Sequence, residues 1–181
     1  MKKKFSESID APDGIECSLK DKVLNCKKGS TELAKTINIP GIEVRLSGKT
    51  ITFDCISGNK NDYKTIKSLI AHMKNFFAGF ENKFVYKLES ANVHFPMTLK
   101  VEGSRLMINN FLGEKKPRFA VIRPNVNVEL KGAKITISSA DKEAAGQTAA
   151  NFEKATKIRN RDRRVFQDGI YITEKPVGGI R

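Results

Sequence analysis

Pro40-Gly41-Ile42-Glu43-Val44-Arg45-Leu46-Ser47-Gly48-Lys49-Thr50-Ile51-Thr52 returns 84 residues later as Pro124-Asn125-Val126-Asn127-Val128-Glu129-Leu130-Lys131-Gly132-Ala133-Lys134-Ile135-Thr136. In each stretch apolar and polar residues alternate on both sides of a Gly-centred turn: Val44 and Leu46 before it, Ile51 and Phe53 after it; Val128 and Leu130 before it, Ile135 and Ile137 after it. Alternation of period two marks a hairpin with one face covered and one face wet. The same shift, carried back to Pro12 and Pro96, adds Asn25 on Asn109 and Gly29 on Gly113, giving nine identities over positions 12–52 without a gap. The matched positions are apolar strand residues and the Gly and Pro between them, which a shared backbone would dictate. The chain reads as a tandem duplication.

Working outward, each copy carries a second hairpin signature. Ile15–Leu19 and Val23–Lys27 straddle Lys20-Asp21-Lys22; Leu99–Val101 and Leu106–Ile108 straddle Glu102-Gly103-Ser104-Arg105. A further strand precedes each matched proline, Ala34–Ile39 and Phe119–Arg123. A helix then covers each sheet. Ile66, Leu69, Ile70, Met73, Phe76 and Phe77 form the first apolar stripe, with Asn61 or Asp62 as the cap and Gly79 past the end. Ala145, Ala149, Phe152 and Ala155 form the second, with Asp141 and Glu143 at its positive start; their small size implies close packing. A final strand follows each helix, Phe84–Leu88 and Gly169–Ile172. The expected fold is α+β, two small domains in tandem, each an antiparallel sheet with one packed helix. The expected division is an N-terminal tail over 1–10, a first domain over 11–90, a second over 91–173 and a C-terminal tail over 174–181.

Lys and Arg number 33 against 20 Asp and Glu, a net charge of +13 that attracts polyanions. Residues 1–89 carry 16 basic and 11 acidic groups, and residues 90–181 carry 17 and 9, so the second half is the better candidate for polyanion contact. Cys17, Cys26 and Cys55 form no CxxC pair, and with only His72 and His94 to help they build no zinc site. They read as buried free thiols in a reducing cytosol. The start, Met1-Lys2-Lys3-Lys4-Phe5, lacks the apolar run of a signal peptide, and no stretch approaches the ~20 apolar residues of a membrane span.

No catalytic constellation is present: no GxSxG, no GxxxxGK[ST] and no HExxH. His72 lies in the helical pattern as a partly exposed or core-edge residue, His94 lies at the joint between the copies, where packing explains it, and Gly178-Gly179 belongs to a tail with no helix after it. The chain reads as a non-enzyme without cofactor or metal.

The informative segment is Lys154–Arg164, Lys-Ala-Thr-Lys-Ile-Arg-Asn-Arg-Asp-Arg-Arg, in which six of eleven residues are cationic and one is acidic. It begins as the last turn of the second helix, where cations also offset the helix dipole. Arg159, Arg161, Arg163 and Arg164 add planar donor forks suited to phosphate oxygens. Lys115, Lys116 and Arg118 after Phe111-Leu112-Gly113, and Lys175 and Arg181 on the tail, extend the basic set. There is no RRM-type aromatic motif, so shape-and-phosphate recognition of RNA is favoured over base stacking.

Asn110-Phe111-Leu112-Gly113-Glu114-Lys115, Ala91-Asn92-Val93-His94-Phe95-Pro96, Thr148-Ala149-Ala150-Asn151 and the run from Ala155 through Arg163-Arg164-Val165-Phe166-Gln167-Asp168 to Ile172 together resemble the large-subunit ribosomal protein L6 family (uL6) in its archaeal and eukaryotic branch. The likeness runs from about Ile9 to Lys175. The resemblance implies two homologous α+β domains and a cytoplasmic, ribosome-bound protein. It implies a structural role on large-subunit rRNA near the sarcin–ricin loop and the base of the factor-binding stalk. It also implies neighbouring ribosomal proteins as partners and elongation factors as transient ones. Carried over residue by residue, it implies rRNA contacts at Lys157, Arg159, Asn160, Arg161, Arg163 and Arg164, with Lys115, Lys116, Arg118 and Lys175 as further candidates. Family tails are often longer and richer in lysine than the one ending at Arg181. The alternative is an RNA-binding assembly factor or RNA chaperone.

Overall fold

The computed structural model describes residues 3–29, 31–162 and 164–176. Arg163 lies outside the described residues, as do Met1, Lys2, Ser30 and residues 177–181 with the Gly-rich tail. The chain forms two compact units that divide between Glu81 and Asn82.

The first unit contains β1 (Lys3–Asp10), β2 (Glu16–Lys20), β3 (Val23–Lys28), β4 (Thr31–Thr36), β5 (Glu43–Ser47), β6 (Thr50–Gly58) and α1 (Lys60–Glu81). Its strands form two antiparallel sheets, β1-β6-β5 and β2-β3-β4, with α1 against β1 and β6. The second contains β7 (Phe84–Ala91), β8 (Thr98–Glu102), β9 (Arg105–Asn109), a single 3-10 turn (Phe111–Gly113), β10 (Arg118–Val121), β11 (Asn127–Lys131), β12 (Lys134–Ser139), α2 (Lys142–Ala155) and β13 (Gly169–Glu174). Its sheets are β10-β9-β8 and β11-β12-β7-β13. The fold is α+β with repeated topology, as the duplication requires.

The duplicated hairpin has one register in both copies. Leu46 stands opposite Ile51 and Leu130 opposite Ile135. The preceding hairpins are out of step with the 84-residue shift. Leu24 and Cys26 are buried in the first, and Leu106 and Ile108 hold the corresponding places in the second. The extra length of the second copy lies between β9 and β10, where Asn110 and Leu112 take left-handed backbone (φ 58 and 51) around the 3-10 turn. The identities Asn25/Asn109 and Gly29/Gly113 therefore do not mark equivalent backbone positions.

Three expectations are corrected. Residues 3–10 are a strand, not a tail: β1 pairs with β6, and Phe5, Glu7 and Ile9 point inward at period two. Glu7 occupies an inward place because Lys67 at 2.7 Å and the Tyr63 hydroxyl at 3.3 Å of α1 meet its carboxylate. Phe84–Ala91 is not the last strand of the first unit. It is the first strand of the second, the counterpart of β1, and it lies between β12 and β13 in the sheet. Ile9 stands opposite Ile51 as Leu88 stands opposite the equivalent Ile135. Finally, α1 is capped by Asn59, whose side-chain oxygen accepts from the amides of Asn61 (2.7 Å) and Asp62 (3.1 Å) while Asp62 accepts from the amide of Asn59 (2.7 Å), a reciprocal capping box. Gly79 is inside the helix and buried.

The core of the second unit collects Leu88, Leu106, Ile108, Ile135, Ile137 and Phe152. Each such side chain contributes roughly 1.5–3 kcal/mol on burial. Helix α2 lies close to its sheet because the facing residues are small. Ala145 and Ala149 are buried, and a Cβ on Gly146 would stand 2.9 Å from the Tyr86 hydroxyl. Asp141 caps α2 by accepting from the Glu143 amide at 2.8 Å.

Candidate nucleic-acid interface

Helix α2 ends at Ala155, and Thr156 turns the chain out of it. From Lys157 to Asp168 the backbone has no regular pairing, so tertiary anchors fix its course. At the near end the buried Thr156 hydroxyl accepts from the Ile170 amide at 2.9 Å. At the far end Asp168, 2% exposed, accepts from the Val93 amide at 3.0 Å, the His94 amide at 3.3 Å and the His94 ring Nδ1 at 3.0 Å. Burial pushes the Asp168 carboxyl up. The His94 ring and the two amides outweigh that and hold it below its ordinary value. The Phe166 ring stacks on His94 with centroids 5.4 Å apart, and the Arg161 guanidinium lies 4.8 Å from the centre of the Phe166 ring.

Between these anchors the segment turns twice. Asn160 takes a left-handed backbone, φ 56. Asp162 accepts from the Arg164 amide with its side chain (2.9 Å) and from the Phe166 amide with its backbone carbonyl (2.9 Å). The single acidic residue of the run thus shapes the loop locally, as Asp does in turns. Lys157, Arg159, Asn160, Arg161 and Arg164 are all exposed. Lys157 and Arg159 make no ion pair among the described residues, and Arg164 has only a 3.8 Å approach to Asp162 with its side chain 93% exposed. Charge held outward on an anchored loop, with few internal partners, is free to meet external anions.

Arg118 differs from the other candidates. Its guanidinium donates twice to Glu114, at 2.7 and 2.5 Å, and once to the Ala155 carbonyl at the end of α2, at 2.8 Å, and it lies over the Phe111 ring at 4.3 Å. That fork, with Arg161 nearby, holds the Glu114 carboxyl below its ordinary value. Arg118 thus braces the base of the loop against the segment before β10. Lys115 and Lys116, exposed and without ion pairs among the described residues, flank this brace. A cleft of about 400 Å³ opens beside it, lined by Arg118, Phe119, Lys154, Ala155, Lys157 and Arg159. Lys175 is exposed beyond the far end of β13, roughly 19–20 Å along the strand from Gly169 at 3.2–3.4 Å per residue. The geometry therefore brings together Lys157, Arg159, Asn160, Arg161 and Arg164 with Lys115 and Lys116. It leaves Lys175 apart and commits Arg118 to internal bonds.

The sequence reading missed the pairing of Asp168 with His94. Its only trace was an acidic residue closing a cationic run and a histidine at the joint. It also missed Phe119, about half exposed on β10 at the edge of the cleft. Among the described residues no cluster of His, Cys, Asp and Glu is arranged to hold a metal ion, and no helix is long and apolar enough to cross a membrane.

Residues 95–169 match the family model described as Ribosomal protein L6. The large ribosomal subunit protein uL6 of Methanosarcina mazei is 39% identical over 175 residues, 97% of this chain and 99% of the relative. Its namesake in Methanothrix thermoacetophila is 39% identical over 167 residues, 92% of this chain and 95% of the relative. That of Methanococcus vannielii is 37% identical over 169 residues, 93% of each.

Proposed function

Because this chain belongs to the ribosomal protein L6 family, we propose that its second unit binds large-subunit rRNA through the anchored cationic loop 157–164, bracing an RNA helix by neutralising its phosphates. Its role in the ribosome is structural and non-enzymatic, and its location is the cytoplasmic ribosome. The observation that carries the RNA-binding reading is the pairing of opposites in one loop. Its ends are fixed by Thr156 and Asp168, while its cations point outward. A rigid frame with free charges lowers the ordering cost that a flexible basic tail would incur on binding.

The primary contacts are Lys157, Arg159, Asn160, Arg161, Arg163 and Arg164, with Lys115 and Lys116 beside them. Arg118 acts mainly by holding the loop, and Lys175 reaches a separate point on the RNA. The site in the subunit is beside the sarcin–ricin loop and the base of the factor-binding stalk. Its partners there are neighbouring ribosomal proteins and, transiently, elongation factors. The long run from Ala155 to Ile172 supports this part of the reading.

The test is the salt dependence of binding to a duplex rRNA fragment. Each phosphate contact adds about 0.9 to the magnitude of the log–log slope. Replacing Arg159, Arg161, Arg163 and Arg164 by Ala should lower that magnitude by roughly two to four units while leaving the melting temperature nearly unchanged. An unchanged slope removes the loop from the RNA face. Retention on large subunits after a high-salt wash separates a resident component from an assembly factor.

A further inference from the structure

We propose that Cys17 and Cys26 are a redox-active pair, which a low-molecular-weight disulfide converts into a cross-strand disulfide within the first unit. The two residues stand directly opposite each other on β2 and β3, with their sulfurs 3.1 Å apart. The turn between the strands has two residues, Asp21 and Lys22, with φ 45 and 64, the left-handed pair of a tight hairpin. In such a hairpin the closing pair, Lys20 and Val23, exchanges both backbone hydrogen bonds, and the pairs alternate from there. Cys17 and Cys26 therefore fall on a pair without backbone hydrogen bonds, the kind with Cα atoms closest, about 4.5 Å. That separation lies within the roughly 4.4–6.8 Å that a disulfide spans. Closure needs rotation of two side chains and little movement of backbone.

The two thiols are unequal in a way that suits ordered exchange. Cys17 is half-buried and reachable from solvent, whereas Cys26 is fully buried. Burial, with Cys17 alongside, pushes the Cys26 thiol above its ordinary range, so it does not meet an oxidant first. The Cys17 thiolate attacks one sulfur of the small disulfide, expels a thiolate and carries the other half as a mixed disulfide. Cys26 then gives up its proton, attacks the Cys17 sulfur and displaces the second thiolate. Two protein thiols become one disulfide, and one small disulfide becomes two thiols that take up the two protons. Cys55, on β6 in the other sheet of the unit, has no such partner among the described residues and serves as an internal control.

The purified full chain is incubated without denaturant with oxidised glutathione, its remaining thiols are alkylated, and it is digested with trypsin without reduction. Cleavage after Lys4, Lys20, Lys22 and Lys27 leaves Cys17 in the peptide 5–20 and Cys26 in the peptide 23–27, while Cys55 lies in 50–60. The expected product joins 5–20 to 23–27 and separates on reduction, with Cys55 alkylated. In Cys26→Ser the reaction should stop with glutathione held on Cys17. Full alkylation of both cysteines, glutathione persisting on Cys17 of the unmodified chain, or a linked peptide that forms only in urea would each overturn the proposal. If Cys26→Ser does not fold, the peptide map of the unmodified chain decides alone.

Discussion

Replacing Asp168 should loosen the loop that presents the cations, and the cost follows from its surroundings. The carboxylate is 2% exposed and accepts from two backbone amides and the His94 ring. In Asp168→Ala the buried carboxylate is lost, and the Val93 and His94 amides lose this partner on residues that are themselves exposed to water. Hydrogen bonds to a charged acceptor contribute about 1.5–3 kcal/mol, and water reaching the freed amides offsets part of their loss. With that offset the variant should lose about 2–3 kcal/mol. Asp168→Asn keeps one acceptor oxygen and should lose about 1–2 kcal/mol. The pH dependence has a definite sign. Because the folded-state value lies below the ordinary 3.8, the carboxylate's contribution is present in full above the unfolded value. It is lost as pH falls through the folded value. Urea unfolding of the parent and Asp168→Asn between pH 3 and 7 should therefore show a gap that narrows in acid. Amide hydrogen exchange should also accelerate at Val93 and His94 in both variants. A loss under about 0.5 kcal/mol in Asp168→Ala, within the range of an ordinary surface substitution, or a gap that does not depend on pH, would refute the reasoning.

Other substitutions probe the remaining supports. Arg118→Ala removes the fork to Glu114, the bond to the Ala155 carbonyl and the stack on Phe111; being partly solvated, the site should cost about 1–3 kcal/mol, and Arg118→Lys should recover less than half in the same melt. Gly146→Ala should be destabilising by about 1–2 kcal/mol, because the new methyl meets the Tyr86 hydroxyl. In a Tyr86→Phe background it should become neutral or stabilising, since alanine is the better helix former by about 1 kcal/mol, and a double-mutant cycle reads the difference. Asn59→Ala breaks the capping box of α1 and should cost about 1 kcal/mol, a fall of roughly 2–4 °C in melting temperature.

The sequence reading recovered what periodicity records. Val44, Leu46, Ile51 and Phe53 and their partners in the second copy give the hairpin, its face and its register, because one buried face fixes them all. It failed where a strand is defined by its neighbours. Residues 3–10 contain only Phe5 and Ile9 as apolar inward residues, and the third inward place is Glu7, neutralised from a helix more than fifty residues on. Phe84–Ala91 was legible as a strand, but its sheet was not, since alternation does not say which edge it joins. For the interface, arginine density located the loop, whereas the commitment of Arg118 to Glu114 and Ala155 depends on tertiary contacts that no spacing encodes.

The place of β7 decides how the molecule divides under the knife of gene truncation. A fragment starting at residue 91 would retain the cationic loop but lack seven of the eight residues of the strand that joins β12 to β13, leaving the closing strand and its anchors with almost nothing to zip against. A fragment starting at residue 82 would keep every strand of the unit, so the autonomy of this half turns on a short segment that lies well before the residues it supports.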